Sequence, residues 1–232
     1  MKISIVIPCF NEERTLVKVI DKILKQEKIE KEIIIINDGS TDKTKTIINE
    51  LCKKHSIIKA IHHDANKGKG AALKTGFLKA TGDIILIQDA DLEYDPDDYK
   101  KLITPFVKTD AQIVYGSRFM GGDYVRLHYF WHYIANKLLT FLTNIFTNLN
   151  MSDMETGYKV FRSECLNQIN LKEKSFGIEP EITIKLAKQK FIFYEVPISY
   201  SGRSYDEGKK ITIKDAFRAV YCIIKYSIFD RS

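Results

Sequence analysis

Two aspartates one residue apart, Asp89 and Asp91, follow the unbroken apolar run Ile84 to Ile87 in the stretch Gln88-Asp89-Ala90-Asp91-Leu92-Glu93. A short apolar run of this kind predicts a buried strand, and ligands bind beyond the carboxyl ends of strands in open α/β sheets. Two carboxylates projecting together repel each other unless a divalent cation holds them, and their oxygens are the donors that Mg²⁺ or Mn²⁺ takes. The segment reads as a metal–diphosphate site. The alternative is a solvated acidic turn leading into a helix capped near Asp95-Pro96. An EF-hand is excluded, because a loop starting at Asp89 needs Gly at its sixth place and Glu at its twelfth, which here are Tyr94 and Lys100.

Other polar, turn-forming segments follow similar apolar runs. Pro8-Cys9-Phe10-Asn11-Glu12-Glu13 comes after the first, Asn37-Asp38-Gly39-Ser40-Thr41-Asp42 after the second, and Asn66-Lys67-Gly68-Lys69-Gly70 after the third. Singly, Asn11 and Thr41 would cap helices, and Gly68 and Gly70 would turn the chain. Together they fall at one edge of the predicted sheet, which favours a nucleotide site. It is not a dinucleotide fingerprint, since the third glycine would fall at Leu73, and no Walker A loop is present. Diphosphate binding must then rely on a metal and on cations.

The elements that position these segments are legible from periodicity. Ile3–Ile7, Ile33–Ile36, Ile57–Ile61, Ile84–Ile87 and Ile113–Tyr115 are β-branched runs too continuous for a sheet with one wet face. Between them, Leu16, Val19, Ile20, Ile23 and Leu24 follow helical spacing, and Leu73, Gly76, Phe77 and Ala80 make a shorter stripe. Strand–helix alternation predicts an α/β fold with a doubly wound, mostly parallel sheet.

Length and composition set the frame. A chain of 232 residues suits one α/β domain with a C-terminal appendage. A net charge of +6, from 36 cations against 30 anions, is far from a nucleic-acid-binding tail, and no nucleic-acid partner is expected. Cys9, Cys52, Cys165 and Cys222 lie apart with no zinc spacing, as in a reduced cytosolic protein. The first apolar run is too short for a signal peptide, and no stretch approaches the roughly 20 apolar residues of a membrane span.

With these residues in view, the chain resembles the family 2 glycosyltransferases of the GT-A fold, most of all polyprenyl-phosphate glycosyltransferases such as dolichol-phosphate mannose and glucose synthases. The carriers are Ile5-Val6-Ile7-Pro8-Cys9-Phe10-Asn11-Glu12, the three polar segments that follow the second to fourth strands, and Gly116-Ser117-Arg118-Phe119. Further on come Asp153-Met154-Glu155-Thr156-Gly157-Tyr158-Lys159-Val160-Phe161-Arg162 and Tyr200-Ser201-Gly202-Arg203-Ser204-Tyr205-Asp206-Glu207-Gly208-Lys209-Lys210. Their order along nearly the whole chain makes the resemblance specific.

The resemblance implies a single GT-A domain over 1–232, with a nucleotide-binding half (1–115), an acceptor half (116–210) and a C-terminal amphipathic helix (211–232). It implies that Pro8, Phe10, Glu12, Ile36 and Asp38 line the nucleotide pocket, and that Gln88, Asp89, Ala90 and Asp91 meet ribose and diphosphate. Asp91 would be the direct Mg²⁺ or Mn²⁺ ligand, with Asp89 assisting. Glu93, where relatives often carry Gln, would add a charge to the metal shell. Arg118, Arg203 and Lys209 match phosphate-binding cations of the family, and Arg126 is a further candidate. Asp153 would lie beneath the sugar and orient the nucleophile or a hydroxyl; Glu155 would line the cleft or simply start a helix. The catalytic set so implied is Asp91, Asp153 and Arg118.

Two segments point to a membrane surface. Phe130, Ile134, Leu138, Phe141 and Ile145 form one stripe, with Tyr129, Trp131 and Tyr133 at its start, and Phe217, Val220, Ile224 and Ile228 alternate with Lys214, Arg218 and Lys225. The alternative for both is ordinary packing on the core. The expected activity is inverting hexosyl transfer from a GDP-mannose or UDP-glucose type donor to polyprenyl phosphate. The protein would lie peripherally on the cytoplasmic, inner face of the membrane. The rival expectations are transfer to a sugar or protein hydroxyl, which needs a true general base, and a non-catalytic sugar-nucleotide-binding regulator.

Overall fold

Ile3–Cys9 forms β1, and the alternation of its side chains sends Ile3, Ile5 and Ile7 into one apolar layer and Val6 into the other. In the computed structural model, which describes residues 1–121, 126, 129–203 and 213–230, β1 pairs in parallel with β2 (Lys31–Asn37) and with β4 (Ile84–Ile87). β3 (Ile58–His62) adds in parallel to β2. The seven strands run in the order β3-β2-β1-β4-β6-β5-β7. Because β2 and β3 build outward on one side of β1 and β4 starts the other, the carboxyl ends of β1 and β4 flank the switch point where ligands bind in such sheets.

The sheet is mostly parallel as expected, with one exception. β6 (Lys159–Arg162) runs antiparallel between β4 and β5 (Ile113–Ser117), and β7 (Phe193–Pro197) completes the edge in parallel with β5. The sequence patterns did not mark β6 or β7. β6 has only four residues and begins and ends on cations, while every residue of β7 is half-buried, so neither presents a continuous apolar run.

Helices cover both faces. α1 (Leu16–Leu24) buries Leu16, Val19, Ile20 and Ile23 as its spacing predicts, and α2 (Thr44–Lys54) buries Ile48 and Leu51. α3 (Lys69–Phe77) comes so close to β1 that a Cβ on Gly76 would collide with Val6 Cγ1. α4 (Tyr99–Lys108), the short α6 (Ser163–Leu166) and α7 (Ile178–Lys188) complete the packed layers.

α5 (Phe130–Thr147) and α8 (Ile213–Ile224), the latter extended by a π-helical turn at Lys225–Phe229, lie against each other and against α7. Their orientation is unusual for surface helices. α5 turns Leu139, Thr140 and Thr143 inward, while Phe130, Ile134, Leu138, Phe141 and Ile145 are 41–63% exposed. α8 and its extension bury Ala219, Cys222, Ile223 and Tyr226 and leave Phe217, Ile224 and Ile228 exposed. The apolar stripes read from the sequence therefore face outward, except that Val220 is half-buried against the core. Among the described residues, no helix is long and apolar enough to cross a membrane.

Candidate active site

At the end of β4 the chain turns sharply, with Leu92 at φ 63°, and releases Asp89, Asp91 and Glu93 into one cavity of about 570 Å³. Each carboxylate already meets a cation. Lys69, at the start of α3, lies 2.9 Å from Asp89 Oδ1 and 3.1 Å from Glu179 Oε1 on α7. Burial works to lower the Lys69 ammonium, but Asp89 and Glu179 outweigh it and its pKa is raised. Lys159 Nζ donates to the other Glu179 oxygen at 2.5 Å and to Thr156 O.

Arg203 Nη2 donates to Asp91 Oδ2 at 2.6 Å, and its backbone N–H donates to Glu93 Oε1 at 2.9 Å. Glu93 Oε2 accepts from Tyr200 Oη at 2.7 Å. Burial, followed by the charges of Asp89 and Glu93, pushes the Asp91 carboxyl up to about 7 against the pull of Arg203. Asp91 is thus a carboxylate with more negative charge around it than one arginine neutralises.

The 153–158 segment forms the floor. Asp153 is fully buried and takes Arg118 Nε on Oδ2 and Arg118 Nη2 on Oδ1, each at 2.7 Å, with Asn136 of α5 donating to Oδ1 at 3.2 Å. Burial alone would raise Asp153, but the Arg118 charge and hydrogen bonds hold it below the usual carboxylate range. Gly157 leaves no room for a side chain: a Cβ there would sit 2.5 Å from Asp89 Oδ2 and 2.7 Å from the Tyr94 ring. Glu155 lines the cavity, and its buried Oε1 has no hydrogen-bond partner among the described residues. Burial, with Glu179 next, pushes its carboxyl up to about 7 against Lys159 and Arg118.

The cavity runs past these groups to helices. Pro8 at the end of β1 and Phe10, Glu12 and Asp38 just beyond β1 and β2 line it, while Trp131, Tyr133 and Leu139 of α5 and Ala216 and Ala219 of α8 line it elsewhere. Residues 4–169 match the sequence pattern of Glycosyl transferase family 2. The chain belongs to that family. A dolichol-phosphate mannosyltransferase of Pyrococcus furiosus is 30% identical over 231 residues, 97% of this chain, and this chain spans 64% of that protein's length. A dolichyl-phosphate beta-glucosyltransferase of Trichomonas vaginalis is 30% identical over 99% of this chain and 74% of its own. Among solved structures, glucosyl-3-phosphoglycerate synthase from Mycobacterium tuberculosis, crystallised with Mn²⁺ and UDP, superposes with a TM-score of 0.76 at 20% identity, over 100% of this chain and 81% of that one. The shared architecture is the GT-A fold.

Within this glycosyltransferase, most of the residues singled out from sequence meet at the cavity: Pro8, Phe10, Glu12, Asp38, Asp89, Ala90, Asp91, Glu93, Arg118 and Arg203 all line it. Others do not. Ile36 is fully buried with Ile34 and Ala72, and it is Ala72 that reaches the cavity wall. Gln88 is also fully buried; its Oε1 accepts from Tyr99 Oη and Tyr158 Oη, so it braces β4 from inside rather than facing a ribose. Asp38 reaches the cavity, yet its oxygens already accept from Lys67 N and Gly68 N and contact His63 Nδ1 at 2.7 Å, which fixes the loop ahead of α3. Arg126 is exposed and off the cavity wall, with its N–H donated to Tyr200 O. Lys209 lies outside the described residues.

The donor set fits Mg²⁺ or Mn²⁺: Asp89 and Asp91 are hard oxygen donors on one wall, and the raised Asp91 is a group that a cation would relieve. Glu93 lines the same wall, with Tyr200 and Arg203 on its two oxygens. Among the described residues no three acidic, His or Cys side chains are arranged to hold an ion. Sequence reasoning missed Glu179 and Lys159. The signal for Glu179 was its place beside Ile178 and Ile182 in a helical stretch, where a carboxylate is buried only when paired.

Proposed function

We propose that this family 2 glycosyltransferase moves a hexosyl group from a nucleoside-diphosphate sugar of the GDP-mannose or UDP-glucose type to polyprenyl phosphate, with inversion at the anomeric carbon. The observation that carries this reading is the shared cavity. Its acidic wall at Asp89 and Asp91 suits a divalent cation that would take the donor diphosphate, and its walls on α5 and α8 suit an apolar acceptor. The relatives named for dolichol-phosphate sugar transfer support the same acceptor class. In this reading residues 1–115 bind the nucleotide, 116–210 the acceptor, and 211–232 help to seat the protein peripherally on the cytoplasmic membrane face.

A lipid monophosphate is already a nucleophile near neutral pH, so the site must place it and screen its charge rather than deprotonate it. Arg118, fixed by Asp153, and Arg203, fixed by Asp91 and Glu93, are the cations on the cavity wall suited to that task. Asp153, bound to Arg118 through both oxygens and held in its ionised form, positions that arginine. Asp89 and Asp91 would hold the divalent cation, which supplies charge neutralisation for the departing nucleoside diphosphate.

Transfer to a hydroxyl acceptor is the second reading, and one observation favours it: Glu155, with a pKa near 7, is tuned as a general base would be. The deciding assay follows labelled sugar from UDP-glucose and GDP-mannose, with Mg²⁺ or Mn²⁺, with and without a short polyprenyl phosphate. A labelled glycolipid formed with the polyprenyl phosphate supports the proposal. Sugar delivered to hydroxyl acceptors while polyprenyl phosphate stays unmodified defeats it.

A further inference from the structure

The carboxyl of Glu155 stands apart from the acids around the diphosphate side of the cavity. Asp89 is paired with Lys69, Asp91 with Arg203, Glu93 with Tyr200 and Arg203, and Glu179 with Lys69 and Lys159. Glu155 Oε1 is buried on the same wall with no partner among the described residues. A buried polar atom left this way costs folding free energy, so its persistence calls for a ligand that completes it.

The surroundings narrow the ligand's chemistry. Lys159 and Arg118 act on Glu155 from one sign, Glu179 and Asp153 from the other. Two positive and two negative groups thus offset each other around Glu155, so the surroundings favour neither an anion nor a second cation. A neutral hydroxyl suits the position, because it donates to a carboxylate and accepts from a carboxylic acid. Glu155 lies two residues before Gly157, where a Cβ would sit 2.5 Å from Asp89 Oδ2 on the diphosphate side of the cavity. The part of a donor attached directly to its diphosphate is the sugar.

We infer that Glu155 is a specificity-determining residue that hydrogen-bonds a ring hydroxyl of the donor's hexose. This rests on the nucleoside-diphosphate-sugar reading above but is independent of the acceptor. Calorimetric titration with UDP, GDP, UDP-glucose and GDP-mannose in Mn²⁺ buffer tests it on the wild type, Glu155→Ala and Glu155→Gln. Glu155→Ala should bind the preferred sugar nucleotide roughly tenfold more weakly, the loss expected for one hydrogen bond to a charged group, with the parent nucleoside diphosphate unchanged. Glu155→Gln keeps the shape and one acceptor oxygen, and it should recover part of the affinity. Equal weakening of sugar nucleotide and nucleoside diphosphate would overturn the inference, as would unchanged binding with lost turnover, the mark of a base. A wild type that binds sugar nucleotides no better than nucleoside diphosphates also overturns it. No acceptor enters these titrations, so failure of the lipid-phosphate reading does not alter what they decide about Glu155.

Discussion

Arg118 and Asp153 form a buried two-point ion pair, Nε to Oδ2 and Nη2 to Oδ1 at 2.7 Å each, with the Arg118 backbone N–H also donating to Asp153 Oδ2. The pair ties the end of β5 to the 153–158 floor, and Asn136 carries the link into α5. An aspartate so engaged is a poor proton acceptor and a good anchor.

Asp153→Ala should therefore act first on stability. Removing one partner leaves Arg118 charged and largely buried, which typically costs about 3–5 kcal/mol. Urea denaturation measures this. Unaltered stability with abolished turnover would instead give Asp153 a direct part in the reaction.

Asp91→Ala is expected to abolish transfer while the fold persists, since the residue faces the cavity rather than the core. Wild-type protein should gain melting temperature when Mn²⁺ and a nucleoside diphosphate are added together, by mass action on the folded state. The variant should show little of that gain, and excess Mn²⁺ should not restore its activity. Near-normal turnover of Asp91→Ala would remove the residue from the metal's ligands.

Arg203→Ala should weaken use of polyprenyl phosphate by about 1.5–3 kcal/mol, the usual scale for a lost charged contact to phosphate. Because Arg203 also neutralises Asp91 and Glu93, the variant should bind Mn²⁺ no worse than wild type. Steady-state kinetics with varied acceptor, alongside metal titration, separates the two effects.

Stability should carry the signature of Glu155. Its carboxyl is raised from 4.5 to about 7 in the folded chain, so the folded state keeps a proton that the unfolded state has released. A raised acid contributes stability at low pH that is lost as pH climbs from its unfolded value through its folded one. The groups facing it are Glu179, Lys159, Arg118 and Asp153. Between about pH 5 and pH 7.5, metal-free wild type should lose more melting temperature than Glu155→Gln, whose amide does not titrate. Parallel pH profiles would show that Glu155 ionises normally.

Phe130 and Trp131 are 63% and 76% exposed, so replacing both with Ser should change unfolding free energy by no more than about 1 kcal/mol, at roughly 0.5 kcal/mol per exposed site. Co-sedimentation with anionic liposomes should drop for the double variant if this face meets lipid. A parent chain that ignores such liposomes would end the interfacial reading.

The sequence by itself determined the parallel core and the placing of the acidic pair, because β-branched runs buried on both faces have no other pattern and their carboxyl ends must come together. Ile3–Cys9, Lys31–Asn37 and Ile84–Ile87 were legible for that reason. Local spacing also found the α5 and α8 stripes, but periodicity reports that a helix has an apolar face and not which way it turns. Only the tertiary structure decided that Phe130, Ile134 and Phe217 face outward, that Ile36 and Gln88 stand behind the cavity wall, and that Arg203 reaches Asp91 from 112 residues away. It likewise decided which charges are paired. Asp153 and Glu155 are two residues apart with the same chemistry on paper, and packing gave one an arginine and left one oxygen of the other without a partner among the described residues, since pairing is set by what the folded chain brings alongside.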